Sequence, residues 1–225
     1  MALIAQSYFD FFKDLSMNNN RDWFLDNKKR YEREAKEPFI HLLEQVIASL
    51  TDTEPELGLV PVKNMLFRIN RDTRFSKDKQ PYKEHLGASI TRFGTKDKIH
   101  PGHYLQLGSG ENFIAGGAYW FEEKEMLYRV RQYIAMHPDQ FAELIDNENF
   151  KSKWSVIKGD KNKRVPPDFE DDVKRQPLIL NTQFYWSANV PNEAYLSDNI
   201  VEILRGYWLA AQPLNNFLKE AMYNN

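Results

Sequence analysis

Between Phe67 and Lys83 the chain reads Phe67-Arg68-Ile69-Asn70-Arg71-Asp72-Thr73-Arg74-Phe75-Ser76-Lys77-Asp78-Lys79-Gln80-Pro81-Tyr82-Lys83. These seventeen residues hold three arginines and three lysines, with apolar side chains threaded between them. Guanidinium groups grip carboxylates and phosphates bidentately, and ammonium groups add compact charge. The chemistry this predicts is recognition of a phosphorylated or carboxylated ligand. Arg68, Arg71 and Arg74 are the candidates for charge recognition, with Lys77, Lys79 and Lys83 in support. Asp72 either orients an arginine or acts as a base if its pKa is raised. No glycine lies between Gly58 and Gly87, so a backbone phosphate cradle of the P-loop kind is unavailable and side chains must do the binding. The rival reading is structural, an internal ion-pair network or a solvated face.

If the stretch is a strand, Phe67, Ile69, Arg71, Thr73 and Phe75 share one face, and Arg68, Asn70, Asp72 and Arg74 share the other. Phe67, Ile69 and Phe75 belong in the core. Arg71 then shares their face and needs an internal carboxylate or a bound anion, because a lone buried charge is too costly.

Other constellations are weaker. Ser76-Lys77-Asp78-Lys79 matches the Ser-x-x-Lys pattern of serine β-lactamases, and Ser197-Asp198-Asn199 matches their second motif, but the Lys-Thr-Gly element is missing. Ser197 reads instead as a helix cap. His100 and His103 flank a Pro-Gly turn and read as loop histidines. A metal there would need a third ligand, with Glu111 or Asp97 as the guesses. Asp168, Glu170, Asp171 and Asp172 follow two prolines and suit a solvated helix start. Gly116-Gly117 inside a strand signals a bulge or a close approach, and Tyr104, Gln106, Tyr119 and Trp120 nearby are candidates to line a pocket. No cofactor or metal is implied, and no catalytic residue is assigned.

Net charge is −2 over 225 residues, but it is unevenly spread. Residues 1–60 carry 7 basic and 11 acidic side chains, residues 61–100 carry 10 and 4, and residues 101–225 carry 13 and 17. A basic centre between acidic flanks points to a local site, whereas a general nucleic-acid coat would make the whole domain basic. A non-catalytic nucleic-acid-binding or protein-interaction module is the alternative function, although no RNA-binding signature supports it. Cysteine is absent, which excludes disulfides, thiolate catalysis and Cys-ligated zinc and fits a reducing compartment. No basic segment precedes a long apolar run at the N-terminus, and no stretch approaches a membrane-spanning length. A soluble cytoplasmic protein is expected, with no membrane contact.

The elements that must position these residues read in order. Ser7 to Leu15 is a short amphipathic helix that Ser7 would cap. Asn18 to Asn20 break it and cap a second helix carrying Trp23, Phe24 and Tyr31. Pro38 kinks that helix or opens a new one, in which Phe39, Leu43, Val46, Ile47 and Leu50 recur at helical spacing. The period then falls to 2 over Met65–Phe75, Leu86–Ile90, Tyr104–Leu107 and Phe113–Tyr119, the last two joined by a hairpin loop. Helical spacing returns at Met126–Ile134 and after Pro138. Trp154–Ile157 and Thr182–Ser187 read as strands, and Ile200, Val201, Leu204, Trp208 and Ala211 stripe a final helix. The sum is one α+β domain over residues 1–225, with a central antiparallel sheet packed by N- and C-terminal helices on one face.

The stretch Phe67–Lys83 also resembles the signature of the domain of unknown function 2461 family. Trp23-Phe24 and Tyr31 fit its N-terminal helix. Tyr104-Leu105-Gln106-Leu107 followed by Gly116-Gly117 is similar to its strand pair. Pro166, Pro167 and Phe169 are similar to its Lys-x-x-Pro-x-Gly-Phe segment, with Asp168 in place of the glycine, and Phe184-Tyr185 to its late aromatic strand. The resemblance implies a full-length single domain of mixed α/β content. It implies no activity.

Overall fold

A computed structural model describes residues 2–97, 99–110 and 112–223. It is an α+β structure in which helices flank a four-stranded antiparallel sheet of order β1-β2-β3-β4. The strands are β1 (His85–Ile90), β2 (Gly102–Gly108), β3 (Phe113–Ala118) and β4 (Phe184–Asn189). Each is bonded to its neighbour in chain order; short links join β1 to β2 and β2 to β3, whereas residues 119–183 separate β3 from β4. The chain falls into two compact units. The first is Met1–Lys96, Tyr104–Ile114 and Asn189–Arg205; the second is Asp97–His103, Ala115–Ala188 and Gly206–Asn225. Among the described residues, no helix is long and apolar enough to cross a membrane.

In the first unit, α1 (Gln6–Met17) buries Tyr8, Phe11, Phe12 and Leu15. Each such side chain removed from water contributes about 1.5–3 kcal/mol. The Tyr8 hydroxyl donates to Leu107 O at 3.0 Å, which fixes α1 against β2. Asn20 caps α2 (Arg21–Asp26) by accepting from the Trp23 amide at 3.0 Å, as its position predicts. Ser7 is not a cap, because α1 already begins at Gln6. After α3 (Lys28–Arg30) the helix widens to a π-turn over Tyr31–Lys36 and continues as α4 (Glu37–Leu50). Pro38 follows directly on the π-turn inside a helix that is continuous through Lys36 and Glu37, so its ring and missing N–H fall where the backbone bonding changes from π to α.

The expected strand over Met65–Phe75 is mostly absent. Only Leu66 and Asn70 make bridges, to Ala88 and Tyr82. Met65 and Ile69 are buried, but Phe67 is 36% exposed and Phe75 94%. Beyond Arg71 the side chains take over the backbone. Asp72 accepts from the Arg74 amide at 3.2 Å, Asp78 accepts from the Gln80 amide at 3.0 Å, and Lys79 donates to Thr73 O at 2.9 Å. Such local bonds compete with a sheet ladder and turn residues 71–80 into a loop.

In the second unit, α5 (Lys124–Met136) is followed by α6 (Pro138–Asp146), which opens at its proline as expected, and by α7 (Glu148–Trp154). Trp154 therefore ends a helix capped by Asn147 and does not begin a strand. Its indole N–H donates to Tyr207 O at 2.8 Å. Asp168 lies within a 3-10 turn (Pro167–Phe169) and accepts from the Tyr128 hydroxyl at 3.0 Å, and Glu170 and Asp171 follow before α8 (Asp172–Arg175). The Gly116-Gly117 pair is a close approach. A Cβ on Gly116 would stand 2.6 Å from Trp186 Nε1, and Gly117 has φ +99 with Phe184 O 2.3 Å from where its Cβ would be.

Two further helices follow β4. The first, α9 (Asn192–Tyr195), belongs to the first unit, and in α10 (Ile200–Tyr223) the expected stripe residues Ile200, Leu204, Trp208 and Ala211 are buried, while Val201 is half-buried. Ser197 does not cap α10, which begins at Ile200, and its hydroxyl lies 2.5 Å from Ala194 O.

Candidate functional site

Alternation along the strands separates a core face from a half-exposed one. In the first unit Leu86, Ala88, Ile90, Leu105, Leu107 and Ile114 are buried, while His85, Ser89, Tyr104, Gln106 and Phe113 are only partly covered. Tyr104, placed on β2 by this period of two, lies on the half-exposed face. Its hydroxyl donates to Gln106 Oε1 at 3.1 Å, and burial raises its pKa. A Cβ on Gly87 would sit 2.7 Å from that hydroxyl, so glycine at this position of β1 is what lets the phenol lie across the strand. Phe67 and Phe113 flank Tyr104, with ring centres 6.2 and 5.5 Å away.

The residues just before β1 bring cations to this face. The Lys83 amide donates to Ile69 O at 2.8 Å, which ties the segment to the basic stretch. Lys83 Nζ then stands 5.3 Å over the centre of the Phe67 ring. Lys83, His85 and Gly87 follow one another at strand period. Burial lowers the Lys83 pKa, and the positive charge of Arg68 lowers it further. Burial, and then the charge on Lys83, push His85 down to about 4. No carboxylate among the described residues pairs with Arg68, Lys83 or His85. Arg68 acts on the Asp72 carboxylate as well as on Lys83, but Lys83 and His85 face like charge, which raises a local positive potential that an anion would relieve.

The other expected site residues are engaged in the loop. Arg71 Nη1 pairs with Asp78 Oδ2 at 2.5 Å, which supplies the internal carboxylate that its position calls for. Arg74 forms a bidentate pair with Asp72, Nε to Oδ1 at 3.0 Å and Nη2 to Oδ2 at 2.7 Å. Hydrogen bonds from Arg74 hold the Asp72 carboxyl below its usual range, so Asp72 orients an arginine and is a poor base. Lys77 and Lys79 are exposed, and Ser76 is in the loop and not on the buried helix that a Ser-x-x-Lys nucleophile requires. The basic stretch therefore splits. Arg71, Asp72, Arg74, Asp78 and Lys79 organise the loop, whereas Lys83 stands over Phe67, next to Tyr104, without an ion-pair carboxylate, and the charge of Arg68 reaches both Lys83 and Asp72.

His85 escaped the sequence reading, although the Lys83-x-His85-x-Gly87 alternation carries the signal. Arg131 also escaped it. That side chain is 5% exposed and donates to Ile179 O at 2.8 Å and Asn181 O at 3.0 Å. The histidine pair divides as well. His103 is buried on β2 against Trp208, and His100 sits 2.9 Å from Asp97 Oδ1. Glu111, the other guessed ligand, lies outside the described residues. Among the described residues, no group of three or more His, Asp or Glu side chains is placed to hold a metal ion. Tyr119 and Trp120, expected to line a pocket with Tyr104, are 66% and 56% exposed in the second unit, where Tyr119 packs edge-on to Tyr185.

No curated protein and no solved structure matches the chain. A family model described as a conserved hypothetical protein matches residues 7–217, so the chain belongs to the DUF2461 family.

Proposed function

We propose that the protein is an anion-binding domain of the cytoplasm that recognises a phosphorylated or carboxylated ligand through Arg68, Lys83 and His85. The observation that carries this reading is Lys83, held over Phe67 without an ion-pair carboxylate, with Arg68 near enough to lower its pKa and His85 next along the same face. Arg68 supplies a bidentate fork and Lys83 a compact charge, while His85 donates one N–H when neutral and two when protonated. The loop pairs Arg71–Asp78 and Arg74–Asp72 hold residues 71–80 in shape and leave Arg68 and Lys83 to the ligand.

The test is calorimetric titration with inorganic phosphate, a sugar phosphate and citrate, on the wild type and on Arg68→Ala/Lys83→Met. Each charge-assisted contact is worth about 1.5–3 kcal/mol, so removing two is expected to weaken binding at least a hundredfold. The reading falls if none of the three anions binds the wild type, or if the double variant binds them as well as the wild type does.

A further inference from the structure

The cations stand beside aromatic surface, and this says more about the ligand. Tyr104 lies across β1 because Gly87 has no side chain, its hydroxyl is fixed by Gln106, and Phe67 and Phe113 flank it. Fixing the phenol in this way lowers the entropy cost of stacking a ligand ring on it. We propose that this site takes a phosphate monoester that carries a planar heteroaromatic ring, the ring stacking on Tyr104 and the phosphate meeting Lys83, Arg68 and His85; nucleoside monophosphates are the simplest members of the class.

Two features favour a ring over an aliphatic body. First, a half-exposed aromatic residue costs hydration that a stacked ring returns, and a ring can stack on aromatics whatever its hydrogen-bonding edge. Second, Lys83 Nζ is held over Phe67, next to Tyr104, so charge and aromatic surface lie within one small patch. The inference rests on the anion-binding reading and narrows it.

The experiment measures the affinities of adenosine 5′-monophosphate, ribose 5-phosphate, adenosine and inorganic phosphate for the full chain, then repeats them on Tyr104→Leu and Tyr104→Phe. The nucleotide is expected to bind roughly ten- to hundredfold tighter than ribose 5-phosphate. Tyr104→Leu should erase that ratio, and Tyr104→Phe should keep most of it. Equal binding of the nucleotide and ribose 5-phosphate by the wild type overturns the ring inference and leaves the anion reading standing. Adenosine binding as well as its monophosphate overturns both. Binding by none of the four overturns the ring inference, and citrate then decides whether the anion reading stands. The wild-type ratio decides the matter even if Tyr104→Leu does not fold.

Discussion

Lys83 Nζ lies 5.3 Å above the centre of the Phe67 ring, and no carboxylate among the described residues pairs with it. A half-buried ammonium in that position costs desolvation that the ring only partly offsets. Lys83→Met keeps the stem over the ring and removes the unpaired charge. Stability is expected to stay equal or rise, within about 1 kcal/mol, while phosphate affinity falls at least roughly tenfold. Thermal melting and calorimetry on one preparation check both halves. A variant that melts several degrees lower would mean that the ammonium holds the fold together, not a ligand.

His85 gives the site a pH signature. Its folded pKa of about 4 lies below its ordinary 6.5, first through burial and then through the charge on Lys83. Above pH 6.5 both folded and unfolded chains carry it neutral, and nothing is lost. As pH falls from 6.5 towards 4 the unfolded chain takes a proton that the folded chain refuses, so stability declines, with a ceiling of about 3 kcal/mol. Urea melts at steps across this range should show a shallower decline for His85→Gln. A bound anion favours the charged imidazole, so phosphate affinity of the wild type should rise as pH is lowered through 6 to 5, with proton uptake. The variant should lack this uptake.

What could be read in advance was what local spacing decides. Phe39, Leu43, Val46, Ile47 and Leu50 recur at helical period and form the buried stripe of α4, and the β2–β3 hairpin follows from two alternating runs and a glycine-bearing loop. Met65–Phe75 misled because its pairing is sparse and reaches only Asn70, with Phe67 exposed between buried Met65 and Ile69. Past that point the outcome turned on which side chains captured backbone amides, and Asp72 and Asp78 captured two. The candidate site was half legible for the same reason. All of its arginines and lysines could be named, but which of them pair internally depends on the loop they themselves shape. Arg131 could not be foreseen, because its acceptors are carbonyls 48 and 50 residues further along the chain.

Arg131 predicts a purely structural effect. Its guanidinium satisfies two carbonyls of buried residues in the turn before β4, and burial lowers its pKa. Arg131→Met leaves both acceptors unpaired and should cost roughly 2–4 kcal/mol, a fall in Tm of roughly 5–15 °C for a chain of this size. Arg131→Lys restores one bond and should fall between. Differential scanning calorimetry orders the three proteins, and phosphate binding at low temperature should be the same in all of them.

Two glycines separate the site from the scaffold. At Gly117 an added Cβ meets backbone, Phe184 O at 2.3 Å and Tyr185 Cα at 2.9 Å, with φ at +99. Gly117→Ala has no side chain to push aside and should cost about 3 kcal/mol or more. At Gly87 the obstacle is the hydroxyl end of Tyr104, at 2.7 Å, with ordinary backbone angles. Gly87→Ala can be accommodated if the phenol swings away and gives up its bond to Gln106, at a cost of about 1 kcal/mol. It should therefore melt close to the wild type while losing the preference for ring-bearing phosphates over ribose 5-phosphate. Because inorganic phosphate needs only the cations, its affinity for Gly87→Ala should hold. A parallel loss of both affinities would mean that Tyr104 positions Lys83, and that the ring platform and the anion site are a single device.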